Sequence, residues 1–149
     1  MTRIAYTSLL AATLVALASP RLAAQADPPI DTTRWVFIAS AMAGSESTYV
    51  DTTTVQRTGG IFTVWVQYRY LRAQRTSGVA RYTKIVERDA FDCAQGQFQA
   101  QEVVYYDGSR VAQTLSRADL KGSSNLMPPG STIEGVSRFA CSLRRHAPP

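Results

Sequence analysis

The sequence predicts an α+β domain in which an antiparallel sheet of about six strands packs one face against a C-terminal helix. No proline stands between Ile30 and Met127, and the segments between the glycines of that interior are rich in β-branched and aromatic residues. Proline lacks the amide that a central strand must donate, so a proline-free interior favours a continuous sheet. A helix-capping pattern then follows near the C-terminus.

The strands are predicted from the period-two alternation of apolar residues and from the turn residues between them. Their ranges are 34–41, 48–55, 61–73, 81–91, 98–106 and 110–115. In the longest, alternate residues from Phe62 to Tyr70 share one face. Asp107-Gly108 is the strongest hairpin signal in the chain. Because the connections are too short for crossover helices, the sheet is predicted to be antiparallel.

The C-terminal segment changes to helical spacing after the proline pair at 128–129. Ser131, with Glu134 three residues later, forms a capping box. The stripe that follows contains Ile133, Val136, Ala140 and Leu143, with Phe139 on one flank and Cys141 on the other. A helix that lays this stripe on the sheet would bring Cys141 to the strand end at Cys93.

Residues 1–26 are predicted to be a cleaved secretory signal. Arg3 precedes an uncharged apolar run, and the small residues Ala24 and Ala26 stand before Asp27. An uncleaved anchor is the alternative, but the run is shorter than the roughly 20 apolar residues of a membrane span. Cleavage leaves residues 27–149 as a single domain, with no transmembrane segment and no cysteine at its start for a lipid anchor.

Loss of the signal also lowers the charge. Without Arg3 and Arg21 the formal net charge falls from +5 to +3. A charge of this size is ordinary for a soluble domain, so no nucleic-acid partner is expected.

Cys93 and Cys141 are predicted to form one disulfide, because an exported chain enters an oxidising compartment. Metal binding is the alternative. Two thiols and the chain's single histidine, His146, cannot complete a tetrahedral zinc shell. No metal and no other cofactor is therefore expected. His146 stands close to the end of the chain, where a solvated tail is expected, and this disfavours Ser-His-Asp and Cys-His catalysis.

Three acidic residues, Glu87, Asp89 and Asp92, precede the first cysteine closely, and paired carboxylates can perform acid–base chemistry. Since Glu87 and Asp89 alternate along a strand, we expect instead a solvated edge or salt bridges to Arg81 and Arg88. The chain is predicted not to be an enzyme.

One predicted hairpin concentrates basic and aromatic residues, the types enriched at protein interfaces. The candidate protein-binding residues are Arg69, Arg72, Arg75, Arg81, Tyr82 and Lys84. The alternative is that Tyr68 and Tyr70 beside them belong to the buried face and that the arginines are merely solvated.

An ordered set of short motifs carries a family resemblance. The motifs are Trp35, Tyr49-Val50-Asp51, Val55, Gly59-Gly60, Val64-Trp65-Val66, Tyr82, Asp92-Cys93, Tyr105-Tyr106-Asp107-Gly108, Pro128-Pro129-Gly130-Ser131 and Cys141. In this order the chain resembles the surface-adhesin protein E domain of Gram-negative bacteria over nearly all of residues 27–149. The resemblance implies an antiparallel sheet of about six strands with a disulfide-tethered C-terminal helix. It also implies a bacterial envelope location and, in adhesin members, binding to host matrix and serum proteins.

The chain is accordingly predicted to be an exported, non-catalytic binding protein of the cell envelope, an adhesin-like module contacting host or matrix proteins. The alternative is a soluble periplasmic protein that acts as a structural or inhibitory partner of another envelope protein. In either case the expected location is the periplasm or the exterior, without a lipid anchor.

Overall fold

A computed structural model describes residues 27–120 and 125–143, so the predicted signal and His146 lie outside the described residues. The strands in these ranges are β1 (Trp35–Ala41), β2 (Glu46–Asp51), β3 (Gln56–Thr58), β4 (Ile61–Thr76), β5 (Val79–Asp92), β6 (Gln97–Asp107), β7 (Arg110–Ser116) and β8 (Asn125–Leu126). One helix, α1 (Thr132–Ser142), follows them. A short 3₁₀ turn, Met42–Gly44, joins β1 to β2.

The predicted antiparallel sheet with a C-terminal helix is confirmed. Its order is β1-β2-β4-β5-β6-β7, while the short strands β3 and β8 pair with β4 and β6. These two short strands were not predicted. Strand β2 ends at Asp51, short of the predicted end at residue 55, because the Asp51 carboxylate accepts a hydrogen bond from the Thr53 amide (2.8 Å) and starts a turn.

The β4–β5 hairpin is longer than its neighbours. Pairing of β4 with β2 reaches only Tyr70, and pairing of β5 with β6 begins at Lys84. The part of the hairpin between these residues lies outside the paired registers of β2 and β6, and its Val79 packs into the core cluster that also contains Val103 and Leu115. We call residues 71–81 the hairpin arm.

Helix α1 packs on one face of the sheet, here called the helix face. The core beneath it consists of fully buried side chains from β2, β4, β5 and α1, namely Val50, Val64, Val66, Phe91, Val136 and Ala140. Burial of each valine or phenylalanine in this core stabilises the fold by about 1.5–3 kcal/mol relative to its exposed state. A second cluster, centred on Val79, Tyr82, Ile85 and Val103, includes contacts with Tyr68, Tyr70 and Tyr105.

The predicted cap of α1 is present. The Ser131 hydroxyl accepts a hydrogen bond from the Glu134 amide (3.3 Å), and the Glu134 carboxylate accepts one from the Gly130 amide (2.6 Å). The second bond lies one residue earlier than in an ordinary capping box. Both bonds orient the start of the helix toward the sheet.

The disulfide between Cys93 and Cys141 is confirmed, with 5.8 Å between the two Cα atoms. Cys93 directly follows β5, and Cys141 lies in the last turn of α1. The bond therefore fastens the end of the helix to the end of a central strand.

Loss of the disulfide is expected to lower the free energy of unfolding by about 4 kcal/mol, because bridging residues separated by 48 positions restricts the unfolded chain. Denaturant titrations with and without reductant measure this change. The Cys93→Ala/Cys141→Ala double variant is the control and should not respond to reductant. Equal unfolding midpoints for the oxidised and reduced wild type would contradict the expectation.

Candidate functional site

The N-terminal strap, residues 27–33, lies against the sheet face opposite α1. The Asp27 carboxylate pairs with the Lys84 ammonium (3.1 Å) and accepts a hydrogen bond from the Thr83 hydroxyl (2.9 Å). The Arg69 guanidinium donates to the Pro28 carbonyl (2.7 Å). Arg69 and Lys84 are opposite each other on β4 and β5. Two of the predicted binding residues are therefore engaged by the chain's own strap.

Tyr82 lies elsewhere. It is only 9% exposed and packs edge-on against Tyr70 and Tyr105, with ring centroids 5.6 and 5.1 Å away. Tyr68 and Tyr70 pack against the core clusters, as the alternative prediction for these two residues stated. The aromatic members of the predicted surface thus belong to the core of the helix face.

The remaining predicted residues lie on the hairpin arm. Arg72, Arg75 and Arg81 are exposed, and Arg81 also donates to the Asp107 carboxylate at 3.0 Å. Leu71, at the base of the arm, is 81% exposed. The predicted binding residues are therefore divided among the strap contact, the core and the arm, and their role in binding stays a prediction.

The prediction that Glu87 and Asp89 lie on a solvated edge or pair with Arg81 and Arg88 is wrong. Strand β5 lies between β4 and β6, so it has no free edge. Asp89 is fully buried, and neither carboxylate oxygen has a hydrogen-bond partner in the described part of the chain. The Arg88 Nε is likewise buried without a hydrogen-bond partner there. Asp92 behaves differently, since its carboxylate accepts hydrogen bonds from the amides of the turn that follows.

The sequence did contain a signal for this burial. Glu87 and Asp89 stand in phase with Ile85 and Phe91, two core residues of the same strand. Period-two alternation therefore places the carboxylates on the apolar face. A third acidic residue, Glu46 on β2, joins them from across the sheet and was not predicted.

Glu46 and Glu87, but not Asp89, border a depression of about 210 Å³ on the helix face, which we call the acidic depression. It is lined by Glu46, Tyr68, Tyr70, Ile85, Glu87, Phe98 and Ile133. Ile133 comes from the first turn of α1, and the other residues come from four strands. No basic side chain contributes to this lining.

Burial controls the protonation of the acidic residues. Burial, helped by the nearby charge of Glu46, raises the pKa of Glu87 to about 7. Burial and the charge of Glu87 raise the pKa of Asp89 well above its ordinary value. The pKa of Tyr68 is raised by burial and then by the charges of Glu87 and Asp89. The depression is therefore acidic but partly protonated near neutral pH.

Asp51 is a buried carboxylate with a structural role. Burial alone would raise its pKa. Hydrogen bonds from the Arg34 guanidinium (2.7 Å), the Thr53 amide (2.8 Å) and the Thr54 hydroxyl (2.9 Å) outweigh this effect, so the pKa of Asp51 lies below its ordinary value. These bonds hold the turn after β2. Among the described residues, no group of three His, Cys, Asp or Glu side chains is arranged to hold a metal ion.

We expect the free energy of unfolding to rise as the pH falls from 8 toward 5. The folded protein keeps a proton on Glu87 up to about pH 7, whereas the unfolded chain releases it near the ordinary value of 4.5. The contribution to stability is therefore complete below about pH 4.5 and is lost as the pH rises through 7. Denaturant titrations across this range measure it.

The Glu87→Gln variant should be more stable than the wild type at pH 8, by about 1–3 kcal/mol, and should depend less on pH. Glu102→Gln is the matched control. Glu102 lies on β6 opposite Arg88, so strand alternation places its carboxylate on the sheet face away from Glu87. Equal pH dependence in the wild type and the Glu87→Gln variant would contradict the assignment of the buried acid.

The fold is shared with a solved structure. The structure of Haemophilus influenzae protein E matches this chain with a TM-score of 0.57 at 11% sequence identity, over 83% of this chain and 96% of that one. At this identity the likeness is one of fold alone. No curated protein matches the chain. Within residues 27–120 and 125–143, no helix has the length and apolar character needed to span a membrane.

The sequence resemblance is confirmed at the level of the family. The family model of surface-adhesin protein E matches residues 35–142. That range begins at the first residue of β1 and ends at the last residue of α1, so it includes the whole sheet, the helix and both cysteines. The chain belongs to the surface-adhesin protein E family.

Proposed function

We propose that this domain is an exported, non-catalytic binding module of the bacterial cell envelope that contacts host or matrix proteins. Its membership in a surface-adhesin family is the observation that carries the proposal. Membership supports an adhesin-like surface protein, and the choice of a protein partner is the step that we add. The exposed side chains agree with this proposal, since arginines such as Arg72 and Arg75 and the apolar Leu71 are residues suited to contact with a protein partner.

The hairpin arm is the surface best suited to this contact. Its Val79 packs into the second core cluster, and its arginines lie exposed, so a partner can reach the side of the arm that carries them. Arg72, Arg75 and Arg81 supply guanidinium groups that form paired hydrogen bonds with carboxylates, and Leu71 supplies an exposed apolar side chain. Arginine beside apolar surface is typical of protein interfaces. An acidic segment of a matrix protein fits this surface.

The Arg72→Ala/Arg75→Ala/Arg81→Ala variant is expected to bind immobilised basement-membrane matrix at least about tenfold more weakly than the wild type, because interface arginines often contribute more than 1 kcal/mol each. Biolayer interferometry measures the affinity. The matched control is Arg57→Ala/Arg117→Ala/Arg138→Ala, which removes the same charge from exposed positions on β3, after β7 and on α1. Equal losses in both variants would point to net charge alone, and unchanged affinity would exclude the arm.

The second candidate function is that of a soluble periplasmic partner of another envelope protein. The N-terminal strap supports it, because the contacts of Asp27 with Lys84 and Thr83 cover part of the sheet face opposite α1 and reduce the surface open to a matrix protein.

Protease treatment of intact cells distinguishes these two functions. A surface adhesin should be degraded at once, since its hairpin arm is exposed. A periplasmic partner should resist degradation until the outer membrane is permeabilised. A periplasmic marker protein serves as the control for membrane integrity. Resistance before permeabilisation would overturn the adhesin proposal and leave the alternative.

A further inference from the structure

We propose that the acidic depression on the helix face binds a primary alkylammonium group, either a lysine side chain or a free linear diamine. This site is separate from the hairpin arm, and its chemistry is opposite, since it attracts a cation where the arm attracts carboxylates. The inference does not depend on the proposed matrix binding.

The charges around the depression are uncompensated. Glu46 and Glu87 line it, and Asp89 lies two residues further along the same face of β5. Asp89 is fully buried with both oxygens lacking a hydrogen-bond partner in the described ranges. An unpaired buried carboxylate destabilises a fold unless it is protonated or paired. Two carboxylates that line one opening, without a basic side chain in its lining, select a cation.

The walls indicate which cation fits. A depression of about 210 Å³ holds several waters, at roughly 30 Å³ each, and hence a short alkyl chain. Ile85, Phe98 and Ile133 provide apolar contact for the chain. Tyr68 and Tyr70 provide aromatic rings that attract an ammonium head. A hydrated divalent metal already carries oxygen ligands in its water shell and would gain nothing from the apolar wall.

Binding should be linked to proton release. The groups that face Glu87 are Glu46 from β2, Tyr68 and Tyr70 from β4, Asp89 from β5 and Tyr105 from β6, while α1 contributes the apolar Ile133. When the ammonium enters, the Glu87 carboxyl releases its proton to solvent and the resulting carboxylate pairs with the ammonium. Affinity should therefore increase from pH 5.5 to pH 8.

The test is an NMR titration of the oxidised domain with two probes, pentane-1,5-diamine and Nα-acetyl-lysine methylamide. Pentane-1,5-diol is the uncharged control. We expect saturable chemical-shift changes of the backbone amides that flank the depression, with a dissociation constant of about 1 mM or less. Binding of both probes supports the site with a lysine side chain as one source. Binding of the diamine alone supports it with a free amine as the source. Failure of both charged probes, or equal binding of the diol, would overturn the proposal.

Variants assign the site. Glu46→Gln and Glu87→Gln should each weaken diamine binding by about tenfold, since each removes a charged hydrogen-bond partner. Glu87→Gln should also abolish most of the pH dependence, and its thermal unfolding confirms that it is folded. Glu102→Gln, on the other face, should bind as the wild type does. Equal affinity of all three variants would place any observed binding outside the depression and contradict the proposal.

Discussion

The attachment of one helix to one face of the sheet is the constraint on which the rest of this structure depends. Without α1, the side chains of Val64, Val66 and Phe91 would face water. The capped first turn and the bridged last turn hold the helix at both ends. A short helix of this kind is marginal alone, so its stability comes from packing and from the covalent link.

The two faces of the sheet separate two chemistries. Strand alternation sends Arg69 and Lys84 to the face covered by the strap, and Glu87 and Asp89 to the helix face. Although the net charge is modest, basic residues are therefore concentrated on one face of the sheet and acidic residues on the other. On the helix face, burial raises the pKa of the acidic residues Glu87 and Asp89 and of the neighbouring Tyr68.

The framework could be predicted from the sequence because its signals are local. Alternating residues identified the strands, Ser131 and Glu134 identified the helix start, and export indicated the bridge. The depression could not be predicted, since Glu46 and Glu87 are brought together only by strand order. Likewise, the contact of Asp27 with Lys84 joins residues that no local pattern connects. The burial of Asp89 was predictable in principle, because the residue stands in phase with the core residue Phe91.

The position of Ile133 has a consequence for where this domain can capture a ligand. This residue forms part of the wall of the depression and belongs to the helix that Cys141 fastens to Cys93. The same carboxylates and tyrosines are present in a thiol-reduced precursor, but their apolar cover is held only by noncovalent packing. The oxidation state of one cysteine pair therefore bears on the wall of the depression as well as on the stability of the fold.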